Sequence, residues 1–356
     1  MKKTLIALAV LAVSGAAFAQ SSVSIYGQFD AGVYSLSKAN GTDNRVVYGD
    51  GATFSNVIGF RGSEDLGGGL KGNFHLETDV QTNNGGLNQN GLFRRQANVS
   101  VAGGFGDIKL GITTNPIIAT NGALMPVSGN SVSTVTSSAL GYADFYTKNA
   151  VTYTSPAVGG LTAQIQYGFS NNVESSSEGS VVAGSLAYVN GPLSIRYAMQ
   201  DRKQGNSAGA LAAGSAPNTG NAKDSSVFGV RYQMGAVTVA AAMLENNAAT
   251  ANNGAKAKVD GLSLGVGYVT GAWTLGATRV TAEESSLLNL QARYALSKRT
   301  NLIAQAGFAD NNANGKVKFS PIATNTGNSP ATIIDTYAAT AGKKQSGLGL
   351  AVTHSF

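Results

Sequence analysis

Apolar and polar residues alternate in many separate runs of about ten residues along this chain. In the run 193–200, Leu, Ile, Tyr and Met occupy one face, and Ser, Arg, Ala and Gln occupy the other. The runs 161–169, 228–233 and 288–296 repeat this period of two. The period predicts β-strands, and their length matches that of a tilted strand crossing a bilayer.

The breaks between these runs are alternately short and long. Short turns are predicted at 67–69, 103–106, 156–160, 190–192, 234–236, 270–272 and 297–299. Longer polar loops are predicted at 35–54, 81–91, 114–148, 170–180, 201–224, 246–258, 282–285 and 311–345. Because seven turns and eight loops connect 16 strands, the pattern predicts an all-β fold, a 16-stranded antiparallel transmembrane β-barrel. A barrel of that size leaves an aqueous lumen, with the short turns at its periplasmic rim.

The first residues have the features of an export signal. Lys2 and Lys3 precede an apolar run at 5–13, and Ala17-Phe18-Ala19 forms a small-residue cleavage site. We therefore expect a cleaved signal peptide at 1–19, with cleavage between Ala19 and Gln20, and a barrel domain at 20–356. The alternative is an N-terminal anchor helix, but the apolar run is far shorter than the ~20 residues such a helix needs.

Composition supports a membrane barrel over a soluble domain. Charged residues make up 12% of the chain, which also has 46 Gly and no Cys; soluble domains carry roughly twice that share of charge. Without apolar helices, a closed barrel is the membrane structure that satisfies every backbone group. The absence of Cys excludes disulfides and thiol chemistry, and a net charge of +6 in an exported chain does not favour a nucleic-acid partner.

Charges on the inward face of the strands are the candidates for ion selection, because rings of charge in a low-dielectric wall select ions by sign. The alternation places these basic residues inward: Arg61, Lys71, Lys109, Arg196, Arg231 and Arg293. The inward acids are fewer, namely Asp30, Glu77 and Asp79, and Tyr26 falls on the same parity. One of the adjacent Arg94 and Arg95 must also face inward. For each charge, the alternative is a solvated wall position without a selective role.

Enzymatic chemistry has little support. The chain has two His: His75 lies on the polar face of its run, and His354 lies on the apolar face of the last run. No zinc spacing, phosphate-binding glycine loop or nucleophile elbow is present. We therefore predict a non-enzyme without a metal or cofactor.

Several segments resemble the trimeric general porins of Gram-negative outer membranes, in their beta-proteobacterial branch. They are SIYGQFDAGV at 24–33, IGFRGSEDLGGGLK at 58–71, GFGDIKLG at 104–111, YALSKRT at 294–300 and the final HSF. The resemblance covers the chain from residue 23 to residue 356 and implies a homotrimer in the outer-membrane lipid bilayer, facing lipopolysaccharide. The terminal Phe356 looks like the signature that such barrels present to the barrel-assembly machinery.

The resemblance also implies a constriction. The third loop, here 114–148 with Pro116, Met125 and Pro126, would fold into the lumen and face a basic wall that includes Arg61 and Arg95. Acids usually occur on that loop, but here none precedes Asp144, which Lys148 follows. Val57 and Ile112 stand where the family commonly has Arg. In the family, loop acids and wall bases create an electric field across the constriction. Both sides of this field are weakened here, the acidic side more than the basic side, so we expect a mild anion preference.

The leading hypothesis is a passive diffusion channel for small hydrophilic solutes and ions. A substrate-specific channel of the same fold is the second hypothesis and would show saturable binding of one solute. A third is a barrel whose long loops at 201–224 and 311–345 serve as an adhesin or phage receptor. The polar composition of those loops indicates no partner.

Overall fold

A computed structural model describes residues 22–37, 44–87, 91–127, 145–170, 176–177, 179–203, 222–248, 258–282, 285–311 and 344–356. The predicted signal peptide and Asp144 therefore lie outside the described residues. The strands are β1 (Ser22–Leu36), β2 (Arg45–Asp50), β3 (Val57–Gly67), β4 (Leu70–Asp79), β5 (Gln96–Gly103), β6 (Gly106–Thr114), β7 (Tyr146–Thr154), β8 (Leu161–Gly168), β9 (Val181–Asn190), β10 (Leu193–Arg202), β11 (Ala222–Met234), β12 (Val237–Ala248), β13 (Lys258–Thr270), β14 (Trp273–Ala282), β15 (Ser285–Ala295), β16 (Thr300–Asp310) and β17 (Lys344–Ser355). One helix, α1 (Pro116–Ala123), follows β6.

The sheet closes on itself. Neighbouring strands pair antiparallel around the whole ladder, and β1 pairs with β17 from Gln28↔Ser355 to Leu36↔Gly347. Both β2 and β3 pair with β1, one above the other, so they form a single wall strand that is interrupted at 51–56. The 17 segments therefore build 16 barrel strands, and the predicted fold is confirmed.

The short turns lie where the sequence predicts them, whereas the strands extend further into the predicted loops. Gly191, Gly235 and Gly271 have positive φ angles of 53°, 57° and 55° in these turns, a backbone region that tight hairpins require and glycine adopts without strain. In the predicted loop 35–54, by contrast, Arg45–Asp50 forms a strand. The backbone hydrogen bonds of the sheet continue beyond the outer surface of the bilayer. A strand needs no apolar face there, so apolar–polar alternation does not predict this part of the strand.

The two faces of the wall invert the pattern of a soluble protein. Large apolar side chains such as Ile25, Leu264 and Leu350 are exposed on the outer face, where lipid would cover them. Polar side chains such as Gln166 and Gln305 are buried on the inner face. Since residues directly opposite each other on paired strands share a face, the register assigns every strand position to the lumen or to the lipid side.

Two apolar clusters lie inside the lumen. The first joins Tyr34, Leu36, Ala52, Val280, Leu287, Ile303, Ala309 and Ala351. The second joins Ile117, Leu124, Ala198, Val227, Ala242, Leu244 and Ala282. The wall residues in both clusters have inward parity, so each cluster attaches a non-strand segment to the inner wall. Among the described residues, no helix is long and apolar enough to cross a membrane.

Candidate functional site: the charged lumen

The register places the predicted basic residues on the lumen face, most of them close to the periplasmic rim. Lys71, Lys109, Arg196, Arg231 and Arg293 each lie within four residues of a short turn. Arg61 lies higher, directly opposite Ser24 and His75, and it is exposed to the lumen. Within the described part of the chain, no carboxylate is within salt-bridge distance of Arg61, Arg196 or Arg231.

Three lumen acids, Glu77, Asp79 and Asp107, contact basic partners, and Asp65 lies opposite Lys71 on the paired strand. Arg94 Nε lies 2.5 Å from Asp79 Oδ2, while Arg95 contacts Glu77 through Nε at 2.6 Å and Asp79 through Nη1 at 2.9 Å. Asp79 is fully buried. Asp107 lies 3.8 Å from Lys109 Nζ. These acids therefore offset Arg94, Arg95 and Lys109, whereas Arg61, Arg196 and Arg231 have no such partner among the described residues.

Both arginines of the Arg94–Arg95 pair contact lumen acids, although strand alternation allows only one of them to point inward. They precede β5, which begins at Gln96, so strand alternation does not govern them. Arg95 also lies over the Tyr146 ring, with Cζ 5.2 Å from the ring centroid. The sequence pattern did not predict a role for Arg94. The signal that could have indicated it is the pair of acids at Glu77 and Asp79, which are two residues apart on β4.

Tyr26 organises the wall next to Arg61. Its hydroxyl donates to Glu77 Oε2 at 2.6 Å and is hydrogen-bonded to His75 Nε2. The Arg61 guanidinium lies over the Tyr26 ring, 5.2 Å from its centroid, a distance typical of a cation–π contact. The ring therefore positions the Arg61 charge, and the guanidinium remains exposed in the lumen.

Asp30 is fully buried, as Asp79 is, but its carboxylate bonds to a backbone N–H and not to an arginine. Its Oδ2 accepts the backbone N–H of Phe54 at 3.3 Å, and its own N–H donates to Asn56 Oδ1 at 2.5 Å. Asp30 therefore acts as a structural partner of the 51–56 segment, and passing ions do not reach its carboxylate.

The described part of the third-loop segment lies against the inner wall. Asn115 caps α1 through Ile117 N–H at 3.0 Å and donates to Gln200 Oε1 on β10 at 2.6 Å, and Pro116 occupies the first turn. α1 packs against β9, β10 and β11. Ile117 and Leu124 are buried in the second apolar cluster, and Met125 packs against the first.

Glycines make room for the residues that follow α1. A Cβ on Gly229 would fall 2.6 Å from Leu124 Cδ1, and one on Gly265 would fall 2.6 Å from Pro126 Cγ. A Cβ on Gly267 would fall 2.7 Å from Val127 Cγ2, and one on Gly276 would fall 2.8 Å from it. The segment from Leu124 to Val127 therefore runs across the inner faces of β11, β13 and β14. Lys148 lies exposed near the start of β7.

A closed barrel with an apolar outer face and a polar, basic lumen defines an outer-membrane channel protein. Residues 4–314 match the sequence profile of the Gram-negative porins, so the chain belongs to the Gram-negative porin family. It is therefore a channel protein of the outer membrane and not an enzyme.

Relatives of known identity agree with this family. Outer membrane porin protein 32 of Delftia acidovorans is 31% identical over 339 residues, covering 87% of this chain and 90% of the relative. An outer membrane porin of Bordetella pertussis is 30% identical, with 87% and 95% covered. Among solved structures, the anion-selective porin from Comamonas acidovorans superposes with a TM-score of 0.77 at 24% identity, covering 94% of this chain and 100% of that chain. At that identity the likeness shows the fold.

Proposed function

We propose that this porin is a passive diffusion channel for small hydrophilic solutes and ions, with a mild preference for anions. The observation that carries the proposal is the imbalance of accessible lumen charge. Glu77, Asp79 and Asp107 contact basic partners, Asp30 is buried, and the exposed Asp65 lies opposite Lys71 on the paired strand. Arg61, Arg196 and Arg231 have no acidic partner among the described residues. A net basic wall raises the local concentration of anions.

Two further observations support the sign of this preference. The predicted third-loop constriction has no acid from Thr114 to Ala143, so it does not supply the negative side of a transverse field. The solved porin from Comamonas acidovorans is described as anion-selective. A matching sign in this chain would follow from its own excess of lumen bases.

The functional form that we propose is a homotrimer of the chain from Gln20 to Phe356, after removal of the signal peptide at 1–19. Its apolar outer face would contact the lipid bilayer and lipopolysaccharide, and Phe356 would be recognised by the barrel-assembly machinery. An OmpT structure of Vibrio cholerae, which shares the fold with a TM-score of 0.61, is described as a trimer form. Amino-terminal sequencing of the protein from outer membranes tests cleavage after Ala19.

Single-channel recording in a planar bilayer under a salt gradient tests the transport proposal. We expect ohmic steps, often in threes, and a reversal potential of the sign that anion preference gives. The Arg61→Gln substitution removes a unit charge that is worth about 1 kcal/mol to an ion about 4 Å away in water, or up to about five-fold in local anion occupancy. It should therefore move the reversal potential toward zero.

The matched control is Arg279→Gln, because Arg279 has lipid-side parity opposite Leu264 and Leu288 and is exposed there. It removes the same charge outside the lumen and should leave the reversal potential unchanged. Clear cation preference in the unmodified protein would contradict the charge argument. Conductance that saturates with one solute would favour a substrate-specific channel instead.

A further inference from the structure

The segment 51–56 leaves the barrel wall where β2 ends and β3 begins. Gln28 of β1 pairs with Val57, and Ala31 pairs with Asp50. Six residues on one side therefore stand opposite only Phe29 and Asp30 on the other. So large an excess is not accommodated by a simple bulge, which adds one residue, and the chain must loop away from the sheet.

The segment turns into the lumen. Ala52 is buried in the first apolar cluster together with Val280 of β14, Leu287 of β15 and Ile303 of β16, all of which have inward parity. Phe54 packs against the same cluster and is only partly buried. The Arg293 guanidinium of β15 lies over the Phe54 ring, 5.7 Å from its centroid. Since β17 and β16 separate β15 from β1, the segment crosses the inner face of two strands.

Buried hydrogen bonds fasten the segment at both ends. At its start, Gly51 N–H donates to the Asp30 carbonyl at 2.9 Å. At its end, Asn56 accepts from Asp30 N–H and donates to Asp50 Oδ1, both at 2.5 Å. The Asn56 carbonyl accepts Val80 N–H at 3.0 Å. Because Asp30, Asp50 and Asn56 are all buried, these bonds hold the segment in one position.

The third-loop segment reaches the same place from the other side of the lumen. Met125 packs against the first apolar cluster, as Phe54 does. Pro126 and Val127 then lie against the inner faces of β13 and of β14, the strand that carries Val280 of that cluster. The third-loop segment and the 51–56 segment therefore meet at the same apolar cluster on the inner wall.

We propose that residues 51–56 form a second constricting element of the pore, with Phe54 and Arg293 lining the passage beside the third loop. The inference rests on the proposed diffusion function and deepens it, since it names residues that limit the size of permeating solutes. The Phe54 ring supplies the bulk, and the Arg293 charge stacked on it faces the solute.

The Phe54→Ala and Phe54→Trp substitutions test this proposal in opposite directions. We expect the alanine variant to raise single-channel conductance and to admit larger uncharged sugars in liposome-swelling assays, and the tryptophan variant to lower both. Uncharged sugars isolate the steric effect from the charge of Arg293. The matched control is Phe308→Ala, because Phe308 is half exposed on the lipid face of β16. It should change neither readout.

The outcomes separate this inference from the proposed function. If the unmodified protein conducts and both Phe54 variants keep its conductance and its sugar size cut-off, the second constriction is overturned. That result would leave the diffusion function standing. Absence of conductance in the unmodified, correctly folded barrel would overturn the diffusion function. If the alanine variant fails to fold, the tryptophan variant still decides the question, because an added ring at the passage must reduce sugar flux.

Discussion

At the residue scale, the selectivity of this lumen depends on which charges are paired. Arg95 and Arg61 are both predicted lumen bases, but two carboxylates offset Arg95, whereas no carboxylate among the described residues is within salt-bridge distance of Arg61. A guanidinium stacked on a tyrosine keeps its full charge toward the lumen. We therefore expect Arg61 to contribute to the electric field that a permeating ion experiences, and Arg95 mainly to stabilise the wall.

The Asp79→Asn substitution tests the structural role of the paired acids. Asp79 is fully buried between Arg94 and Arg95, and removal of one partner from a buried ion pair costs about 3 kcal/mol or more. We expect a lower midpoint temperature of heat-induced unfolding. The shift in gel mobility between the folded and the unfolded barrel measures this temperature. We also expect a stronger anion preference in the reversal potential, because the lumen gains a net positive charge.

Asp107→Asn provides the matched control. It makes the same change in charge, but Asp107 is 3.8 Å from Lys109 and both side chains are about a third exposed. Such a pair contributes at most about 1 kcal/mol. The unfolding midpoint of the Asp107→Asn variant should therefore stay close to that of the unmodified protein. An equal loss of stability in both variants would contradict a special role for Asp79.

At the scale of elements, the position of the third-loop segment depends on missing side chains in the wall. Gly229, Gly265, Gly267 and Gly276 each leave a space that Leu124, Pro126 or Val127 occupies. α1 itself has eight residues, which is too short for a helix that is stable alone. Its burial against β9–β11 therefore supplies most of its stability.

The Gly265→Val substitution tests this arrangement. Its Cβ would lie 2.6 Å from the Pro126 ring and 3.0 Å from Thr278 Oγ1, so the loop segment must move toward the pore axis. We expect reduced single-channel conductance, with a stability cost of about 1–3 kcal/mol from overpacking.

Gly72→Val serves as the control, because the nearest atoms to its Cβ would be Leu66 methyl groups at 3.5 Å. That distance is an ordinary contact, and Gly72 lies on the lipid face of β4. Its conductance should match that of the unmodified channel. A folded Gly265→Val barrel with unchanged conductance would show that this segment does not narrow the passage.

At the scale of the whole molecule, the barrel is completed where its two ends meet. Phe356 N–H donates to the Gly27 carbonyl at 3.0 Å, and Gly27 N–H donates to the Phe356 carbonyl at 3.2 Å. The Phe356 ring covers Gly27 and lies 5.8 Å from the Phe29 ring. The terminal residue is thus part of the seam that removes the last sheet edges.

The Phe356→Ala substitution removes an aromatic pair worth about 0.5–1.5 kcal/mol and uncovers the seam. We expect a reduced yield of folded barrel in the outer membrane, measured against Phe308→Ala, which removes an equally exposed ring away from the seam. A larger loss in cells than in refolding with purified components would support recognition by the assembly machinery. Equal yields of the two variants in cells would count against it.

Sequence reasoning found the strands, the short turns and the faces of the wall, because alternation and hairpin chemistry are local. It placed Arg61, Lys109 and Arg231 on the lumen face through parity alone. It did not find the strand Arg45–Asp50 or the inward segment 51–56, because the pattern assigns residues 35–54 to a single polar loop. Those features depend on pairing with β1 and on contacts with β14–β16, far away in the chain.

The sequence by itself determined that this chain forms a 16-stranded barrel with a basic lumen, since strand period, turn spacing and residue charge are written locally. Only the tertiary structure decided which of those charges reach the pore. Parity assigns a side chain to a face, but pairing and burial depend on three-dimensional proximity. Glu77 and Asp79 offset Arg94 and Arg95, and Asp30 is buried under the 51–56 segment. Arg61 stacks on Tyr26 and is exposed, and no acid in the described part of the chain is within salt-bridge distance of it.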